Sequence, residues 1–257
     1  MKHRIAASCA ALLFMAGCVS QTTIENKVPD AAAASEPAQR AQARTELAAA
    51  YYQRGQMAVA LEEAKLAIKH SPSYAPAYNM LGLIYMELRQ DADAVGNFEQ
   101  ALRLAPNDSD VLNNYGWFLC QRGDPQRAMP YFQSALKNPL YTTPQRAYLN
   151  AGTCARQAGN DAEAERNLRL ALQVQPTLAP ALYFLAEIHY RRGQYKDAGA
   201  FLERYSRVQP NADPDALLLA VRVSRALGDK SNEDSYLLQL RRRFPDAPQT
   251  RQAVGGL

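Results

Sequence analysis

The sequence predicts an all-α, right-handed superhelical solenoid of six helix–turn–helix repeats. Three observations carry that reading. Pro72, Pro106, Pro176 and Pro210 each close an apolar helical pattern, at spacings of 34, 70 and 34 residues. The middle interval is two repeats plus a two-residue insertion. Small residues recur at fixed offsets, with Ala60, Ala94, Ala128, Ala164 and Ala198 at repeat position 20 and Ala48, Gly82, Gly116, Gly152 and Ala186 at position 8. Gly55, Gly123, Gly159, Gly193 and Gly228 stand at position 15, where a first helix would end left-handed, and Arg89 is the exception. A hydrophobic fraction of 47% excludes wholesale disorder.

In chain order, residues 1–17 read as a lipoprotein signal peptide. Lys2 and Arg4 form a short basic start, and Ile5 to Ala16 is an apolar stretch of 12 residues. Such a stretch suits a signal core but is too short to span a bilayer, which takes about 20 residues. Met15-Ala16-Gly17-Cys18 resembles a bacterial lipobox, in which the cysteine becomes the first mature residue and carries acyl chains. Cys18 is therefore the expected lipidation site, with stable anchoring once two or more chains are attached; an ordinary signal peptide cut nearby would leave it free. Val19 after the cysteine, rather than Asp, favours the outer membrane by resemblance to Gram-negative lipoproteins. Residues 18–40 are expected to be the lipidated cysteine and a flexible tether, because Pro29 and Pro37 interrupt any helix.

The repeats follow at 41–74, 75–108, 109–144, 145–178, 179–212 and 214–247. A 34-residue helix–turn–helix period resembles the tetratricopeptide repeat. One such pair cannot bury its apolar face alone, so stacked pairs share a core and leave a concave inner face. Residues 248–257 are a C-terminal tail too short for a domain.

The resemblance places repeat positions 2, 5, 9, 12 and 13 on the concave side, a surface for extended peptides or partner helices. It assigns Tyr52, Asn79, Leu83, Met86, Asn113 and Trp117 to a partner-binding groove over the first three repeats. Trp117 reads either as a hot spot or as packing against a neighbouring first helix. Met86 reads more as core, since apolar stripes at helical spacing usually are.

With Cys9 in the leader and Cys18 acylated, Cys120 and Cys154 remain, on the first helices of adjacent repeats. In an oxidising compartment they are a disulfide candidate; two free buried thiols are the alternative. His70 and His189 read as structural. No zinc-binding His-Glu-x-x-His, nucleophile elbow or phosphate-binding glycine loop is present. The expectation is therefore no enzyme, no cofactor and no metal. Losing Lys2 and Arg4 with the leader leaves 27 basic against 25 acidic residues, a balance of +2 that gives no argument for nucleic-acid binding.

Lipobox, spacer and six repeats together resemble the PilW/PilF family of type IV pilus biogenesis lipoproteins. The most specific stretch is Asn113-Asn114-Tyr115-Gly116-Trp117-Phe118-Leu119-Cys120 with Gln121-Arg122-Gly123; the Cys120/Cys154 pair also looks like a family feature. The resemblance implies a pilotin, an outer-membrane lipoprotein anchored on the periplasmic side through acyl chains on Cys18. Its implied partner is the pilus secretin, whose localisation and multimer assembly it promotes. An adaptor for another envelope complex, serving peptidoglycan hydrolases or barrel assembly, is the alternative. A monomer is expected, since the solenoid closes its own core.

Overall fold

The computed structural model describes residues 31–255. The leader, Cys18 and the start of the tether lie outside the described residues. Thirteen α-helices and no strand occur among the described residues. They pair as α1 (Ala31–Gln53) with α2 (Met57–His70), α3 (Ala75–Glu87) with α4 (Asp91–Leu104), and α5 (Ser109–Gln121) with α6 (Pro125–Leu136). The series continues as α7 (Pro144–Gln157) with α8 (Asp161–Val174), α9 (Ala179–Arg191) with α10 (Tyr195–Val208), and α11 (Pro214–Leu227) with α12 (Lys230–Arg243), and closes on α13 (Pro248–Gly255). These are six tetratricopeptide hairpins and one additional helix.

Each first helix packs on the next first helix, and each second helix packs on the following first helix. No second helix packs on another second helix among the described residues. The first helices therefore form the inner layer and the second helices splay outward, which gives the stack its hollow side.

Close approach within each hairpin comes from paired volumes at positions 8 and 24. Gly82 faces Phe98, Gly116 faces Phe132, and Gly152 faces Leu168; a Cβ on these glycines would stand 2.6, 2.9 and 2.7 Å from those side chains. Five glycines at position 15 take φ between 71° and 81°, and Arg89 adopts φ 59° in their place. The turn geometry is thus kept in all six hairpins although the residue is not.

Two expectations are corrected. Residues 31–40, assigned to the tether, belong to α1, with Pro37 inside it. The Ala-rich sequence favours helix, and proline's fixed φ fits while one hydrogen bond is lost. The helix is held from Ala41 onward, where Ala41, Ala67 and Ala77 are fully buried together. Residues 248–257, assigned to a tail, instead contribute α13, which packs on α11 and α12. Pro248 follows Pro214 by 34 residues, so α13 stands at the register of a first helix in a seventh repeat. It buries Thr250 and Ala253 and covers the open end of the stack.

A candidate peptide-binding groove

The inner face is anchored by α5, where ten of thirteen residues are buried. Its residues divide into distinct tasks. Asp108 caps the helix, accepting from the backbone N–H groups of Asp110 and Val111. Tyr115 stacks on Phe98 at 5.4 Å and on Phe118 at 6.2 Å, and Phe118 is tilted against Phe98 at 5.8 Å, the three rings filling the junction between repeats two and three. Gly116 admits the Phe132 ring. Arg122 lies over Phe118, pairs with Asp91, and donates to the Met86 carbonyl at 2.9 Å, tying the end of α5 to repeat two. Asp91 is held below its ordinary pKa by that hydrogen bond from Arg122.

The asparagines form a ladder across three repeats. Asn114 Nδ2 donates to Asn79 Oδ1 at 3.2 Å, Asn113 Nδ2 to Asn114 Oδ1 at 3.4 Å, and Asn150 Nδ2 to Asn113 Oδ1 at 3.0 Å. Asn113 is wholly buried, and a buried amide left without partners would cost about 1–3 kcal/mol. The ladder therefore fixes the register of α3, α5 and α7.

The six groove residues separate accordingly. Asn113 is a buried rung, and Met86 is buried in the core cluster beneath Trp117, so neither side chain faces an open groove. The reason is the close spacing of the first helices, which encloses their lateral positions. Tyr52, Asn79, Leu83 and Trp117 are half-buried. Tyr52 donates its hydroxyl to Glu87 at 3.2 Å, and its pKa is pushed up to about 12 by burial and then by the Glu87 charge. Trp117 and Leu83 pack on one buried cluster and keep part of their surface in solvent. Cys120 and Cys154 are joined as a disulfide with Cα atoms 5.8 Å apart, stapling α5 to α7 behind Trp117.

Further along, Arg156 lies over the Phe184 ring at 4.5 Å and pairs with Glu187 at 3.0 Å, crossing from repeat four to repeat five. The sequence reading did not find this contact or the asparagine ladder. The signal for the ladder is an Asn at position 5 in one repeat and at position 6 in the next. Arrangements of this kind offer amide edges, apolar patches and charges for holding a chain. Among the described residues no group of His, Cys, Asp and Glu could hold a metal, and no helix is long and apolar enough to cross a membrane.

Comparison with known proteins agrees with this architecture. Tetratricopeptide-repeat family models match residues 79–141 and 155–222. The type IV pilus assembly protein PilF of Pseudomonas aeruginosa is 25% identical over 200 residues, 78% of this chain and 79% of that protein. A crystal structure of PilW, described as a widely conserved type IV pilus biogenesis factor, superposes with a TM-score of 0.76 at 32% identity, covering 83% of this chain and 98% of that one. A solved structure of Pseudomonas aeruginosa PilF superposes with a TM-score of 0.79 at 23% identity, covering 86% and 99%. With a sequence match to PilF, a structural match spanning nearly all of the solved PilW chain, and the tetratricopeptide repeat itself, the chain belongs to the PilW/PilF family of tetratricopeptide-repeat proteins of type IV pilus biogenesis.

Proposed function

We propose that this protein is a pilotin: an outer-membrane lipoprotein, acylated at Cys18, that binds the pilus secretin through its inner face and promotes its localisation and assembly. The observation that carries the reading is the match to a pilus biogenesis factor over almost that factor's whole length. The mechanism is binding rather than chemistry. Half-buried Trp117, Leu83 and Tyr52 supply apolar contact, Asn79 supplies an amide edge, and the disulfide behind Trp117 keeps that surface rigid, so little ordering entropy is lost when a segment docks. The acyl chains direct the bound complex to the outer membrane, and the residues before α1 let the solenoid stand off it.

Deleting the gene tests this. The expected result is loss of pili, with secretin left as monomers, restored by the wild-type gene and not by Cys18→Ala. Normal secretin multimers in the deletion strain would end the proposal. Recovery of peptidoglycan hydrolases or barrel-assembly proteins in place of secretin would favour an adaptor for another envelope complex.

A further inference from the structure

The apolar patch around Trp117 covers only the early repeats, yet a second feature lies within repeat five, where the chain turns into repeat six. A cleft of about 400 Å³ opens there, lined by Pro180, Tyr183, Phe184 and Tyr205, with Asp213 at its edge. Tyr183 is at repeat position 5 and half-buried, as is Asn79 at the same position of repeat two, so the cleft opens on the same face. The Tyr183 ring is 5.5 Å from Phe184 and 6.1 Å from Tyr205 by centroids, tilted at 60° and 52°. Three aromatic side chains thus share one wall.

The charges around this wall are unbalanced. Glu187, Asp213 and Asp215 all act on the Tyr183 hydroxyl, opposed by Arg156. Glu187 is already neutralised by Arg156 at 3.0 Å and Arg191 at 3.3 Å. Asp213 caps α11 by accepting from the Ala216 N–H at 2.8 Å, and its charge, after burial, raises the Tyr205 pKa. Asp215 accepts from Gln249 at 2.8 Å. Neither Asp213 nor Asp215 is in an ion pair among the described residues, and both are exposed. Arg243 is engaged with the Ala212 carbonyl at 2.9 Å.

Aromatic faces are electron-rich, and a cation over them is attracted, more strongly when desolvated. Carboxylates at the rim add attraction for the same charge and penalise an apolar or anionic occupant that would strip their water. The neighbouring ring already uses this chemistry, with the Arg156 guanidinium on Phe184. We propose that this cleft takes the cationic side chain, lysine or arginine, of an extended partner segment lying along the inner face, with the half-buried Tyr183 ring, backed by buried Tyr205, holding it and Asp213 and Asp215 pairing with its charge. The polypeptide occupant rests on the function proposed above; the preference of the cleft for a cation does not.

The test is a titration of the full chain in non-ionic detergent, carrying isotope-labelled tyrosine rings, with n-butylguanidinium, n-butylammonium and the neutral n-butanol. The cations are expected to shift the Tyr183 and Tyr205 ring resonances saturably, and to bind roughly threefold or more tighter than butanol. Asp213→Asn with Asp215→Asn should remove most of that preference. Asparagine caps a helix as well as aspartate, so the fold is kept, and an unchanged thermal melt verifies it. Equal binding of butanol, or no saturable shift at Tyr183, would overturn the assignment. The pilus assay separates the two readings. Fragments that bind while secretin assembles without the protein would remove the pilotin and leave the cleft; lost pili with no fragment binding would do the reverse.

Discussion

Gly82 leaves no room for a methyl group. An added Cβ would stand 2.6 Å from the Phe98 ring, which is wholly buried and boxed in by Tyr115 and Phe118. Gly82→Ala is therefore expected to destabilise by about 1–3 kcal/mol through overpacking, read as a lower urea midpoint with an unchanged slope. Arg89 gives the opposite expectation. It holds the left-handed conformation that the other five repeats give to glycine, at a cost of about 1–2 kcal/mol for a side-chain-bearing residue. Arg89→Gly should stabilise by about 1 kcal/mol, once glycine's greater freedom in the unfolded chain is deducted. Trp117→Ala should weaken capture of the partner by tenfold or more if the residue is a hot spot, as measured by crosslinking from the inner face with circular dichroism as control. Unimpaired capture would withdraw Trp117 from the groove.

At the scale of elements, α5 and α7 are coupled twice, by the Asn150–Asn113 hydrogen bond and by the Cys120–Cys154 disulfide. The disulfide closes a loop of 34 residues in the unfolded chain, so its removal is expected to cost roughly 2–4 kcal/mol. Comparing melts of the wild type and the Cys120→Ala, Cys154→Ala double variant checks this. A variant that melts with the wild type would mean that the asparagine ladder and the aromatic stack already fix the junction. The helix α13 has a different role. Its removal would expose the face of α11 that it covers, so the repeat-six end should fray first in hydrogen exchange.

For the whole molecule, stability should fall at both ends of the pH scale. Burial raises the pKa of Glu165, but hydrogen bonds from Arg169 and Arg192 outweigh it and hold the carboxyl below its ordinary value. A group lowered in the folded state stabilises fully above its unfolded pKa and loses that contribution as pH falls through the folded value. The urea midpoint should therefore drop on acidification through the carboxylate range, and less steeply in Glu165→Gln. Tyr52, Tyr115 and Tyr183 are pushed from 10.0 to about 12, chiefly by burial. Raised groups contribute fully below 10 and lose the contribution as pH climbs toward 12, so alkaline unfolding should begin above 10. Near-ultraviolet phenolate absorbance recorded together with circular dichroism would show it. Tyrosine ionisation complete before any helix is lost would contradict that account.

The period of 34, the paired volumes and the turn glycines are local facts of composition, and they specified the hairpins without any coordinates. They did so because each repeat must solve the same packing problem with its neighbour, so the solution is written six times. Pro37 and the last ten residues were misjudged for the complementary reason. A proline reads locally as a break, and a half-repeat has no second helix to reveal it, whereas burial of Ala41 and Ala253 against distant helices decides both. The resemblance likewise assigns Asn113 to an open groove, where the structure buries it. Only the stacking distance between first helices shows which side of each helix is sealed, and only the packing of α9, α10 and the start of α11 brings Tyr205 and Asp213 to the Tyr183 ring. Sequence by itself determined the repeat and its turns, through contacts made within one hairpin; tertiary structure alone decided which surfaces stay open, since that depends on how closely separate hairpins stack.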